Sequence, residues 1–165
     1  MGRVFSLAGN TLSTGTGYVL AAMQPAAAGS AGSWLNIRRV EVSQGASTTS
    51  AQVYLALSAR NTAGTLTVTS ATPRNLVAAG PASGISGGTS PLSAATCGVN
   101  SSADSGGAYT DMWYSGPNAL NGWLWVPTPS ELIVVPPGQV FCVRFITAPG
   151  TTTGWNVTVV FEEIY

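Results

Sequence analysis

The chain predicts an all-β fold, an antiparallel sandwich of the jelly-roll type with about eight or nine strands. Three observations carry this. Apolar residues alternate with polar ones at period two in several segments. Turn signals built on Gly, Pro and Asn separate those segments. No stretch has the 3.6-residue apolar periodicity of an amphipathic helix. At 165 residues the chain fits one domain over 1–165.

The C-terminal third is the clearest. Glu131 to Val135 is a strand, stopped by Pro136-Pro137-Gly138, since Pro lacks the ladder donor and Gly accepts a positive φ. Gln139 to Thr147 is apolar on both faces, with Phe141, Val143 and Phe145 against Val140, Cys142 and Ile146. That pattern suits a central strand covered on both sides. Trp155 to Ile164 places Trp155, Val157, Val159 and Phe161 on one face.

Upstream, Arg3 to Ala8 reads as a short strand or as part of an N-terminal arm (1–16). Tyr18 to Met23 is a strand. Trp34 to Ser43 alternates without declaring its inward face: Leu35 and Ile37 lie on one side, Val40 and Val42 on the other. Ala51 to Arg60 carries Val53, Leu55 and Leu57 on one face, and Asn61 to Thr65 is a hairpin-type connection to Leu66–Thr69. From 71 to 107 Gly, Ser, Ala, Thr and Pro dominate, and the expectation is a long Gly/Ser-rich loop, with Ser93 to Val99 a short strand inside it. Asp104, in Ser-Ala-Asp-Ser-Gly-Gly, reads as an Asx-turn. Tyr109 to Tyr114 and Trp123 to Val126 complete the strands.

Composition narrows function. The chain is 45% hydrophobic but only 7% charged, with zero net charge, no histidine and no lysine. The six arginines are scattered, so no basic stripe is available for phosphates, and nucleic acid is not an expected partner. No apolar run approaches the ~18 residues of a membrane helix, so no membrane is expected either. Met1 to Ser6 fits the short myristoylation pattern, and Asn100 and Asn156 head glycosylation sequons, all of which recur by chance.

Catalysis has little to draw on. Without His there is no imidazole base, and without Lys no Schiff-base or Ser-Lys chemistry. The carboxylates Asp104, Asp111, Glu131, Glu162 and Glu163 form no evident acid/base pair, and Asn100 with Asp104 is too sparse for calcium. The chain is therefore expected not to be an enzyme and to need no cofactor or metal. Cys97 and Cys142 read as small core residues without a disulfide. The aromatic cluster Trp113, Tyr114, Trp123 and Trp125 either packs the fold or forms a binding surface.

Read in order, several short motifs resemble the jelly-roll head decoration and cement proteins of tailed bacteriophages. They are the start Met1 to Ser6, Val40 to Gln44 ending in Ser-Gln, and Arg60 followed by Gly64-Thr65 and Pro73. Gly122-Trp123-Leu124-Trp125 with Pro127-Thr128-Pro129 and Glu131, and the ending Phe161-Glu162-Glu163-Ile164, complete the set. The resemblance implies a virion structural protein, made in the host cytoplasm and seated on the capsid surface. It implies a homotrimer bound to the major capsid protein, and no catalytic residues. Arg3, Phe5, Trp113, Trp123, Trp125 and Tyr165 are the expected subunit or capsid contacts. The alternative is a carbohydrate-binding or adhesin-type module, a fibre or spike tip using exposed tryptophans.

Overall fold

The computed structural model describes residues 2–13, 18–26, 33–45, 50–77, 80–91, 95–150 and 154–164. Among them are strands β1 (Arg3–Leu12), β2 (Val19–Gln24), β3 (Trp34–Gln44), β4 (Leu55–Arg60), β5 (Thr65–Ser70), β6 (Arg74–Asn75) and β7 (Ser86–Gly87). Six more follow: β8 (Thr96–Ser105), β9 (Tyr109–Ser115), β10 (Trp123–Trp125), β11 (Ile133–Val135), β12 (Val140–Phe145) and β13 (Trp155–Ile164). They form two sheets packed face to face. One runs β10-β3-β13-β1-β6, with β11 also on β3; the other runs β5-β8-β2-β12-β4-β9.

The pairings nest. β1 pairs β13, β2 pairs β12, β3 pairs β10 and β11, and β4 pairs β9, all antiparallel. This is one long hairpin rolled up, so that first meets last and the middle strands meet each other. Rolling then brings β13 against β3 and β12 against β4. The result is the jelly roll, in which two sheets enclose a single core. Residues 61–108 are an excursion at the hairpin tip, and its strands β5 and β8 extend the second sheet beyond β2.

The core explains the strand patterns. Phe5, Leu7, Leu35, Ile37, Leu55, Leu57, Phe141, Phe145, Trp155 and Phe161 are fully buried between the sheets. Each such side chain contributes roughly 1.5–3 kcal/mol by leaving water. Phe5 stacks on Phe161 and Phe145 meets Trp155, with ring centroids 5.8 and 4.7 Å apart. A second, smaller cluster lies on the other side of β2 and β12: Val19, Ala22, Leu66, Val68, Val140 and Cys142, with Tyr109 against it. β12 is therefore covered on both faces, as its sequence requires.

Several segments differ from the sequence expectation. Of the two readings open for the N-terminus, residues 3–12 take the strand, a longer one than expected, between β13 and β6, while 1 and 14–16 of the possible arm lie outside the described residues. In β3, Leu35, Ile37, Val40 and Val42 all point inward although their spacing changes parity. The ladder supplies the reason: Arg39 faces Val160 and Ile37 faces Phe161, so Arg38 is the extra residue of a β-bulge. The Gly/Ser-rich region is not a loop throughout. It holds the ten-residue β8, paired with β2 and β5, so Asp104 lies on a strand rather than in an Asx-turn.

Gly64, between β4 and β5, has φ +73° and no room for a side chain: a Cβ there would stand 1.8 Å from the carbonyl oxygen of Ser105. Gly138, in the turn before β12, has φ +79° but open space around it. We expect Gly138→Ala to cost about 1 kcal/mol, the left-handed strain alone. Gly64→Ala should cost about 3 kcal/mol, because strain and collision add. Urea denaturation of the two variants measures the difference.

Candidate functional site

Two constellations stand out, one ionic and one apolar. The ionic one lies where β4, β5, β8 and β9 converge. Arg60 ends β4, and its side chain is 0% exposed. It donates to Asp104 of β8 at 2.6 Å and to the carbonyl oxygens of Asn61 and Ala63 at 2.8 and 3.1 Å. Its Nε has no partner among the described residues. Asp104 accepts a second bond, at 2.6 Å, from the hydroxyl of Tyr109 on β9. Arg144 of β12 lies over the Tyr109 ring, 4.3 Å from its centroid. It donates to Asp111 at 2.7 Å and to the Ser58 hydroxyl at 3.1 Å, and Ser58 donates to Asp111 at 2.6 Å.

This network works as a clasp, tying β4, β8, β9 and β12 together. Burial works against the Arg60 charge, but its bond to Asp104 holds the guanidinium above its ordinary value. Burial and the neighbouring Cys142 and Asp104 push the Tyr109 hydroxyl up. Burial pulls Asp111 upward, yet its bonds to Ser58 and Arg144 prevail and hold it below the ordinary carboxyl value. Every carboxylate here is already committed to a partner inside the chain. Glu163, fully buried on β13, accepts from the Ser83 hydroxyl and from the Gly84 amide, the latter at 3.0 Å. Glu162 beside it faces out and pairs with Arg38.

The cysteines are free and buried on opposite sides of the second sheet, Cys97 in the main core and Cys142 in the smaller cluster. Burial pushes both thiols up to about 12, with Glu163 adding to the effect at Cys97. Thiolates are disfavoured at both. Among the described residues no three His, Cys, Asp or Glu side chains are grouped to hold a metal ion.

The apolar constellation is on the surface. Trp34, Val134 and Ile164 are 47, 46 and 39% exposed on the outer face of the first sheet. Trp34 faces Ile164 directly across the β3–β13 ladder, and Val134 faces Asn36 on β3. Leu124 and Val126 are exposed along the β10 edge of the same sheet. A shallow depression of about 250 Å³ opens beside Leu124, lined by Arg39, Glu41, Ser43 and Asn121. A further exposed group, Tyr54, Met112, Trp113 and Tyr114, lies on and beside β9.

The expected contact residues divide. Arg3 is exposed on β1, and Trp113 offers part of its ring to solvent. Phe5 and Trp125 are buried within the chain and present no surface to a partner. The reason for Trp125 is its pairing with Val40, which turns it into the core, where it meets Trp113 at 6.3 Å. Trp123 is half-buried and packs on the same core. The three tryptophans thus do not form one exposed row. Tyr165 lies outside the described residues. Trp34, Val134 and Ile164 were not singled out in the sequence; their signal is an apolar residue on the polar phase of an alternating strand.

A scan against protein-family models, a search of curated proteins and a search of solved structures each find no match to this chain.

Two outcomes test the clasp. Arg60→Met leaves Asp104 buried without its cation and should cost about 3–5 kcal/mol, most of it recovered in Arg60→Met/Asp104→Leu. Asp111 binds its proton less readily folded than unfolded, so its contribution is present above the ordinary carboxyl range and is lost as pH falls through its depressed folded value. Urea titrations on the acid side of neutrality should show a shallower loss of stability in Asp111→Asn than in the parent.

Proposed function

We propose that this chain is a virion structural protein, a decoration or cement subunit that binds and stabilises the outer surface of a tailed-phage head. It acts as a homo-oligomer, a trimer by the resemblance described above, and its partner is the major capsid protein. The observation that carries this reading is an exposed apolar patch on the outer face of the first sheet. Trp34, Val134 and Ile164 stand together at one end of it, beside the Arg38–Glu162 pair, and Leu124 is exposed farther along β3, opposite Glu41. A chain with only 7% charged residues adheres through apolar area and shape, not through long-range electrostatics.

The motifs behind the resemblance have structural roles in this fold. Arg60 gathers the turn that Gly64 allows. Trp125 fills the core, and Glu131 accepts from both the amide and the hydroxyl of Thr128. Glu163 anchors the Ser83–Gly84 segment. Motifs of this kind support a shared scaffold, and adhesion is then a property of the surfaces that the scaffold displays. Several copies held together multiply modest contacts into stable attachment.

The test is binding of the purified protein to phage heads lacking it, with reconstruction of the decorated particle. We expect binding that changes little between low and high salt. We expect Trp34→Glu/Val134→Glu to weaken it about 100-fold while leaving the melting temperature unchanged, by analogy with loss of interface anchors. A particle reconstruction without this chain on its head would remove the proposal.

A further inference from the structure

We infer that β9 is the strand through which one copy of this protein pairs with a second copy. β9 is the end strand of its sheet, and among the described residues its backbone pairs with β4 alone. One side of its ladder is left open, and the group that satisfies a row of amides and carbonyls is another strand.

The other edges are protected. β10 and β11 have three residues each, and the chain between them carries Pro127 and Pro129. β6 is two residues long. On β5, the amide of Val68 is already given to the carbonyl of Thr89. β9 has seven residues and contains neither proline, lysine nor arginine, the usual guards of an exposed edge.

Charge and side chains favour a second copy as the occupant. The single ionic group of β9 is Asp111, and its carboxylate is held by Arg144 and Ser58 within the same chain. Two molecules therefore bring their β9 edges to an interface without uncompensated like charge. Met112, Trp113 and Tyr114 are 41, 40 and 73% exposed, and Tyr54 beside them is 48% exposed. These are the side-chain types enriched at interface centres. Met112 is the extra residue of a bulge, since Leu57 faces Trp113 and Ser58 faces Asp111. A bulge limits pairing to a short register, and because β9 meets β9 the contact is two-fold and closes on a pair of copies rather than running on as an endless sheet.

This inference rests on the self-association in the reading above, but neither on its trimer nor on the phage head, since a β9–β9 contact joins copies in pairs. Sedimentation velocity at micromolar concentration is run on the parent, on Met112→Lys/Tyr114→Lys, and on Val134→Lys as a control on the opposite sheet. The parent and the control should sediment as the same dimer, and the β9 variant as a monomer with an unchanged circular dichroism spectrum. Hydrogen exchange on the parent supplies a readout independent of any variant: the amides of 110–114 that are not given to β4 should exchange slowly in the oligomer and at least tenfold faster on dilution to monomer. A monomeric parent, an oligomer that survives the β9 lysines, or β9 amides indifferent to dilution would each overturn the inference. Protein that assembles through β9 yet leaves heads bare fails the functional reading and not this one.

Discussion

The buried pair of Arg60 and Asp104 is the constraint on which the rest of the roll depends. The nested hairpin closes only if β9 returns beside β4 after an excursion of nearly fifty residues. Arg60 ends β4, its carbonyl partners form the turn into β5, Asp104 lies on β8, and the Tyr109 hydroxyl that shares Asp104 begins β9. One cation thus gathers the ends of four strands. Its burial carries a desolvation cost, which short charge-assisted bonds and surrounding carbonyls offset. The return is placement: β9 arrives in register, and Arg144 and Asp111 continue the network along its length.

This closure gives the two sheets different outer faces. The second sheet covers its own outer face with the Val19, Leu66, Val140 and Cys142 cluster beneath the clasp. The first sheet has no such cover among the described residues, and Trp34, Val134 and Ile164 remain in solvent. The asymmetry follows from topology, because the 61–108 excursion adds β5 and β8 to one sheet while giving the other only the two-residue β6.

What the sequence showed depended on how regular each strand is. β12 and β13 were legible because they run without interruption in period and carry large apolar residues. The inward face of β3 was not, since the bulge at Arg38 changes parity midway and no local signal marks a bulge. β8 was hidden for another reason. Thr-Cys-Gly-Val-Asn-Ser-Ser-Ala-Asp-Ser has little strand propensity, and it is held extended by β2 and β5 on either side. Asp104 looked like a turn residue because its partner Arg60 is 44 positions away. The sequence left open whether the tryptophans pack or bind, because alternation fixes which residues share a face, not which face is inside: Trp123 and Trp125 point in, and Leu124 points out.

The same logic separates what is fixed from what is free to serve binding. Arg60, Gly64, Trp125 and Glu163 are each constrained by a buried partner, a positive φ or a packed ring, so their identities report the scaffold. Trp34, Tyr114, Leu124 and Val134 have no such constraint. Each leaves a large apolar surface in water, which isolated folding does not reward. A single residue of this kind is ordinary. Three gathered at one end of an open sheet face, with more along one uncovered edge, in a chain only 7% charged, are the feature on which the proposed adhesion rests. The Trp34–Val134–Ile164 patch and the β9 edge lie on different sheets, so the proposed attachment to a shell and the proposed pairing between copies draw on different residues.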